Sequence, residues 1–184
     1  NSAISIALLA DWANDTLESA TIATAVTKHN PDYTIHLGDT YFVGAPLEIR
    51  RNFLPGQSFW PYGDVGSFAL CGNHEMYSNG NGFYKKLLPW MGIYYPERII
   101  QKAGFFCLEN EYWRIIGLDT GYFSVGIPFY EYFFSKPSLP PALIEWLRKE
   151  LNLGNDNKGL VFLSHHQYAS SYDNSHAAPA MQLA

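Results

Sequence analysis

The apolar positions of the chain fall into short runs separated by polar or turn-forming residues, and this pattern predicts alternating strands and helices. The first run, at 4–10, is continuously apolar and has the length and the Ile and Leu content of a strand buried on both faces. A helix should follow, with Asp15 and Glu18 in a capping box and its end before Pro31. A second strand is expected at 33–37, and a strand–helix–strand unit of this kind is typical of a parallel sheet.

The rest of the chain continues this alternation. A third strand is expected at 67–71, a hairpin from strands 105–108 and 112–118, and a last strand at 160–163. A short helix is expected at 47–53, an amphipathic segment at 83–90, and a helix that begins at 140–141 and ends at Gly154. We expect loops at 119–138 and over the last twenty or so residues.

This order of elements predicts an α/β fold in which the first strands are mostly parallel. No repeat, low-complexity tract or linker divides the 184 residues, so we expect one domain over 1–184. The chain is 47% hydrophobic and 16% aromatic, and only 16% of its residues are charged. Such a composition excludes a disordered chain or a coiled coil.

The charge balance argues against some partners. The net charge is -5, and 12 Lys and Arg residues are too few for the dense basic face that long nucleic acid requires. No apolar run is long enough to span a membrane. We expect a soluble protein, either cytoplasmic or exported with its leader removed. Cys71 and Cys107 lie in apolar runs, and we expect buried thiols rather than a disulfide.

Side chains able to bind a metal ion follow four of the predicted strands within a few residues. Glycines at 38 and 72 precede two of these groups and would let the backbone turn sharply. In an open α/β sheet, loops from several strand ends converge at one edge, so the four endings predict one pocket. Carboxylate, amide and imidazole ligands suit Mn, Fe or Zn. The side chains are Asp11, Asp39, Asn73, His74, Glu75, His165 and His166.

At these residues the chain resembles the calcineurin-like metallophosphoesterases, and within them the branch related to purple acid phosphatases. The resemblance is carried by the motifs Gly-Asp at 38–39, Gly-Asn-His-Glu at 72–75 and Ser-His-His at 164–166, and it covers nearly the whole chain. It implies a four-layer α/β/β/α sandwich with two metal ions, Mn, Fe or Zn, at the strand ends. The ions would supply the positive charge that Lys and Arg do not.

The resemblance also implies a role for each matching residue. Asp11 would bind the first metal ion, Asp39 would bridge both ions, and Asn73 and His165 would bind the second. His74 would face the substrate and stabilise charge or protonate the leaving oxygen. The implied reaction is hydrolysis of a phosphate ester, in which a hydroxide that bridges the metals attacks phosphorus in line.

The chain departs from the family pattern in three places. Ala13 stands where many members have a ligand His, and Phe42 stands where the purple acid phosphatase branch has a ligand Tyr. Two alternatives follow: the first metal ion is weakly held, or the adjacent Tyr41 reaches it from a shifted loop. The closing motif GHxH does not occur, and His176 does not match it. Either the chain is a piece of a longer domain, which we favour, or the site lacks two ligands.

Four side chains, two of them from the motifs, are candidates for supporting contacts or for contacts with substrate. They are Tyr41, Glu75, His166 and Asp119. We favour a turn role for Asp119 over a role in orienting His74.

The sequence therefore predicts a metal-dependent hydrolase of phosphoric esters. The alternative is a catalytically impaired member of the family that acts as an interaction scaffold, because of the three departures. Metal content separates the two, since a phosphatase should hold two ions and a scaffold one or none. A nuclease of the same fold is disfavoured by the acidic charge balance.

Overall fold

A computed structural model of the chain describes residues 3–12, 15–56, 58–124, 137–151, 153 and 155–167. Its strands are β1 (Ile6–Leu9), β2 (Tyr33–His36), β3 (Gly66–Ala69), β4 (Gly92–Ile93), β5 (Ile99–Ile100), β6 (Phe106–Glu109), β7 (Trp113–Leu118) and β8 (Gly159–Ser164). Its α-helices are α1 (Leu17–Thr27), α2 (Pro46–Phe53), α3 (Asn73–Met76) and α4 (Pro141–Lys149). The predicted segment 83–90 forms a π-helical turn, Phe83–Leu87, followed by a 3-10 turn, Leu88–Trp90, rather than an α-helix.

The strands form two sheets. The first has the order β1-β2-β3-β4-β5, and its first three strands are parallel. The second has the order β6-β7-β8, with the predicted hairpin between β6 and β7 and a parallel pairing between β7 and β8. The predicted mixed α/β architecture is therefore confirmed.

Apolar side chains fill the space between the two sheets. The rings of Phe68 in β3 and Phe106 in β6 have centroids 4.6 Å apart, and Ile35 and Leu70 complete this buried cluster. Helices cover the outer faces, which gives the expected order of helix, sheet, sheet and helix. The buried side chains of these outer layers include Ala23, Ile49, Phe53, Ala69 and Cys71 beside the first sheet, and Ile116, Leu118, Leu143 and Leu147 beside the second.

Two predictions about the first strand and the first helix were wrong. β1 is not buried on both faces: among the described strands it pairs only with β2, and Leu8 is 49% exposed. The cap of α1 is Thr16, whose Oγ1 accepts a hydrogen bond from the Ser19 backbone N–H at 3.4 Å. The helix packs through its small residues Ser19 and Ala23, so the larger Leu17 faces solvent.

The structure describes both cysteines and most of the helices, but not every residue for which the sequence makes a prediction. Both cysteines are free, but only Cys71 is buried, since Cys107 lies half-buried in β6. No described helix combines the length and hydropathy needed to cross a bilayer. Ala13, Gly154, His176, most of the 119–138 loop and the C-terminal segment 168–184 lie outside the described residues.

Candidate active site

The predicted site residues lie at the carboxyl ends of their strands. Asp11 follows β1, Asp39 follows β2 and Asn73 follows β3, so the parallel strands bring all three to one edge. Asp11 and Asp39 both have left-handed backbone conformations, with φ of 53° and 66°, which Asp tolerates better than most residues. His165 follows β8 in the second sheet, and its Nδ1 lies 3.2 Å from the Leu37 carbonyl oxygen at the end of β2.

Asp39 and His165 are two candidate ligands whose side chains meet. Asp39 Oδ2 lies 3.4 Å from His165 Nε2. Because a carbonyl oxygen can only accept, His165 donates its Nδ1 proton to Leu37, and Nε2 is the nitrogen that faces the carboxylate. Metal-binding histidines usually donate their second ring nitrogen in this way.

The space between these two atoms favours positive charge. Burial alone would lower the pKa of His165, but the hydrogen bond to Asp39 and its negative charge outweigh burial and raise the pKa. A proton or a metal ion can supply that charge. Two ligand atoms about 2.0 to 2.2 Å from one ion lie roughly 3 to 3.5 Å apart, so the observed separation fits a shared ion.

The His74 imidazole approaches the same carboxylate oxygen as His165 does. Its backbone N–H donates to Asp39 Oδ1 at 3.0 Å, and its Nε2 is 3.7 Å from Asp39 Oδ2. Its Nδ1 donates to the Phe42 carbonyl oxygen at 2.6 Å, which fixes the ring and leaves Nε2 toward the site. The side chain is 24% exposed, so substrate can reach it.

Glu75 ties the loop that carries Asp39 to the loop that carries Asn73. Its buried carboxylate accepts hydrogen bonds from the backbone N–H groups of Asp39, Thr40 and Gly72, at 3.0, 2.7 and 2.8 Å. His36 Nε2 approaches the same carboxylate at 3.6 Å. Burial favours the neutral acid, but the contacts with His36 and the donated hydrogen bonds favour the anion and lower the pKa of Glu75 to about 2.

Glycine is required at positions 38 and 72 because neighbouring atoms approach the backbone too closely for a side chain. A Cβ at Gly72 would overlap the Asp39 carboxylate. Gly38 has a φ of 103°, and a Cβ there would lie 2.7 Å from the Gly72 backbone nitrogen and 2.9 Å from His165 Nδ1. Glycine at both positions therefore lets the two loops and His165 pack together.

Tyr41 lies beside Asp11. Its hydroxyl donates to Asp11 Oδ1 at 2.6 Å, while Phe42 is 69% exposed and contributes its carbonyl oxygen to His74. Burial, followed by the hydrogen bond to Asp11, raises the pKa of Tyr41. This contact is with Asp11 itself, so both alternatives left open by the sequence, a weakly held first metal ion and a Tyr41 that reaches it, stay predictions.

His166 and Asp119 make contacts of a different kind. His166 Nδ1 lies 2.9 Å from the Thr120 hydroxyl, and its ring meets that of His165 edge-on at 4.9 Å. Asp119 accepts hydrogen bonds from the Tyr84 hydroxyl and the Tyr122 backbone N–H, at 2.8 and 3.0 Å. Burial raises its pKa to about 7. None of the hydrogen bonds among the described residues joins Asp119 to His74, and its contact with the Tyr122 N–H fits a turn role.

The structure thus brings the predicted residues together in pairs and small groups. Asp39 is joined to His74, His165 and the Glu75 loop contacts, and Asp11 is joined to Tyr41. Across the described part of the chain, no three carboxylate, imidazole or thiol side chains lie close enough together to hold a metal ion. The donor chemistry fits a metal ion at the Asp39 and His165 pair.

Sequence reasoning assigned no part in the site to His36, Thr120 or Tyr77. Tyr77 follows Asn73 by four residues, and helical spacing could have indicated that they share a face. His36 lies inside an ordinary strand pattern, and Thr120 contacts His166 from 46 residues away. No local signal distinguishes those two.

The chain matches a known protein family. A family model described as calcineurin-like phosphoesterase matches residues 4–183. No curated protein matches the chain. The matched range includes every candidate ligand and His74.

Proposed function

The chain belongs to the calcineurin-like phosphoesterase family, and from this premise we propose that it hydrolyses a phosphate ester at the edge where Asp39 meets His74 and His165. Family membership makes it a metal-dependent phosphoesterase. The observation that carries the proposal is that one buried carboxylate contacts both imidazoles. A candidate ligand and a candidate acid therefore lie beside the same carboxylate oxygen.

In the proposed site, the Asp39 carboxylate would help to hold two metal ions. Asp11 would hold the first ion, and Asn73 and His165 the second, and this oxygen and nitrogen set suits Mn, Fe or Zn. Bound metal ions supply Lewis acidity for attack of water at phosphorus and offset the negative charge of the phosphoryl group. We extend the proposal to the purple acid phosphatase branch because Tyr41 contacts Asp11, as expected if it replaces the Tyr of that branch.

His74 is proposed to stabilise or protonate the leaving oxygen. Its Nδ1 is committed to the Phe42 carbonyl, so Nε2 is the atom available to substrate. The ring is kept in place by Tyr41 and Tyr77, whose ring centroids lie 4.5 and 4.7 Å away. An imidazole held in this way can deliver a proton without reorganising.

The role of His74 predicts a dependence on the leaving group. His74→Ala should slow hydrolysis of an alkyl phosphate by about 10²- to 10⁴-fold, the usual contribution of general acid catalysis. An aryl phosphate with an acidic phenol needs less help from a proton. The fall in its rate of hydrolysis in His74→Ala should therefore be smaller by about tenfold or more. The measurement is kcat/KM for a series of esters whose leaving groups span a wide range of pKa.

The exposed His29→Ala variant is the matched control and should behave as the wild type for every ester. Equal losses for alkyl and aryl esters would exclude proton donation by His74. Unchanged rates in His74→Ala would show that His74 takes no part in the reaction.

A second candidate function is that of a catalytically impaired interaction scaffold. It is favoured by the pairwise arrangement of the donors, since no group of three lies together within the described ranges. Metal stoichiometry distinguishes the two functions, because the scaffold would take up one ion or none.

A further inference from the structure

Tyr77 lies one helical turn beyond Asn73, and the two side chains are joined. α3 begins at Asn73, and Tyr77 directly follows its last residue with helical backbone angles. Residues four apart on a helix share a face. The Asn73 Nδ2 group donates a hydrogen bond to the Tyr77 hydroxyl oxygen at 2.8 Å.

This hydrogen bond determines which atom Asn73 presents to the site. A carboxamide carries its oxygen and its NH₂ group on opposite branches, and only the oxygen can bind a cation. Because Nδ2 is held by Tyr77, Oδ1 is left on the branch that points away from the tyrosine. Without that partner, rotation of the amide by half a turn would place NH₂ there.

The ring of Tyr77 has a second neighbour in the site. Its centroid lies 4.7 Å from that of the His74 imidazole, at an interplanar angle of 46°. Tyr41 meets the same imidazole edge-on at 4.5 Å, and the Phe42 carbonyl oxygen holds its Nδ1. The hydroxyl of Tyr77 therefore serves Asn73 while its ring restricts His74.

We propose that Tyr77 is a positioning residue, whose hydroxyl turns the Asn73 amide oxygen toward a metal ion and whose ring holds the His74 imidazole. This inference rests on the proposed function, in which Asn73 is a ligand. Contacts that orient a metal ligand are commonly worth 10- to 100-fold in metal affinity. The two parts of the side chain can be tested separately, because Phe keeps the ring and removes only the hydroxyl.

The test is titration of the metal-free complete protein with Mn²⁺, followed by calorimetry, together with aryl phosphate turnover as a function of Mn²⁺. Tyr77→Phe should weaken the binding of one ion by about 10- to 100-fold, and raising the Mn²⁺ concentration should recover turnover. Tyr77→Leu should weaken binding to the same extent and also lower kcat at saturating Mn²⁺, because the His74 ring loses its neighbour. Tyr112→Phe, at a tyrosine that is 55% exposed, is the matched control and should bind Mn²⁺ as the wild type does.

Two results would overturn the role of Tyr77 while leaving the proposed function intact. One is an active, Mn²⁺-binding wild type whose affinity is unchanged in Tyr77→Phe. The other is a Tyr77→Leu variant whose kcat at saturating Mn²⁺ equals that of the wild type, which would remove the role of the ring. A wild type that neither binds Mn²⁺ nor hydrolyses the ester would instead reject the proposed function, and the role of Tyr77 with it.

Discussion

Replacing Asp39 with asparagine is expected to lower hydrolysis of an aryl phosphate by at least about 10³-fold. The Asp39 carboxylate lies 3.4 Å from His165 Nε2 and 3.7 Å from His74 Nε2, so its charge acts on both proposed partners. Metal ions contribute several kcal/mol to such reactions, and each 1.4 kcal/mol is a factor of about ten in rate. Asn keeps one oxygen to accept the His74 backbone N–H, so the loop should keep its shape.

The experiment compares initial rates of Asp39→Asn and wild type with Mn²⁺ supplied. Asp64→Asn makes the same chemical change at an exposed position and should leave the rate unchanged. Circular dichroism melting of the Asp39 variant checks that the fold persists. A rate within about tenfold of wild type would show that Asp39 does not hold the metal ions, since the expected loss follows from the metal contribution.

Removal of the Glu75 side chain is expected to have the largest effect on stability. In Glu75→Ala three buried backbone N–H groups lose their acceptor, and each such loss costs about 1 to 3 kcal/mol. His36 loses its charged neighbour as well. We expect the free energy of unfolding to fall by about 3 to 5 kcal/mol and turnover to be lost, because the loops of Asp39 and Asn73 lose the buried acceptor that their backbone N–H groups share.

Urea unfolding at neutral pH measures this difference, with Glu97→Ala at an exposed site as the control. The pH dependence has a defined sign. The pKa of Glu75 is lowered from 4.5 to about 2 in the fold, so its stabilising contribution is full above 4.5 and is lost as the pH falls through about 2. A change below about 1 kcal/mol would mean that the N–H groups find other acceptors and that Glu75 does not secure the site.

The fold could be predicted from the sequence because its signals are local. The strand-like segments at 33–37 and 67–71 are each followed by a glycine and a polar residue, and β2 and β3 lie close to these positions. The exposure of Leu8 could not be predicted, because it depends on the position of β1 in the sheet rather than on its own composition. The N-cap of α1 lies one residue later than predicted, because Asp15 and Thr16 are both good caps and the sequence pattern does not distinguish them.

The candidate ligands could be predicted because the carboxyl ends of parallel strands meet at one edge of the sheet. Their supporting contacts could not, since the His165 contact with Leu37 spans 128 residues and the His74 contact with Phe42 spans 32. The family pattern pointed to position 42 for a tyrosine, whereas the structure places Tyr41 against Asp11. Which of two adjacent residues faces the site depends on the path of the loop, and the sequence does not specify that path.

Metal dependence tests the proposed function most directly. The complete protein is stripped with a chelator, and metal uptake and aryl phosphate hydrolysis are measured on the same sample as Mn, Fe or Zn is returned. We predict that the stripped protein is inactive, that it takes up two ions per chain, and that turnover rises in step with uptake. Turnover that survives complete removal of metal, or a chain that takes up no metal and hydrolyses no ester, would contradict a metal-dependent phosphoesterase.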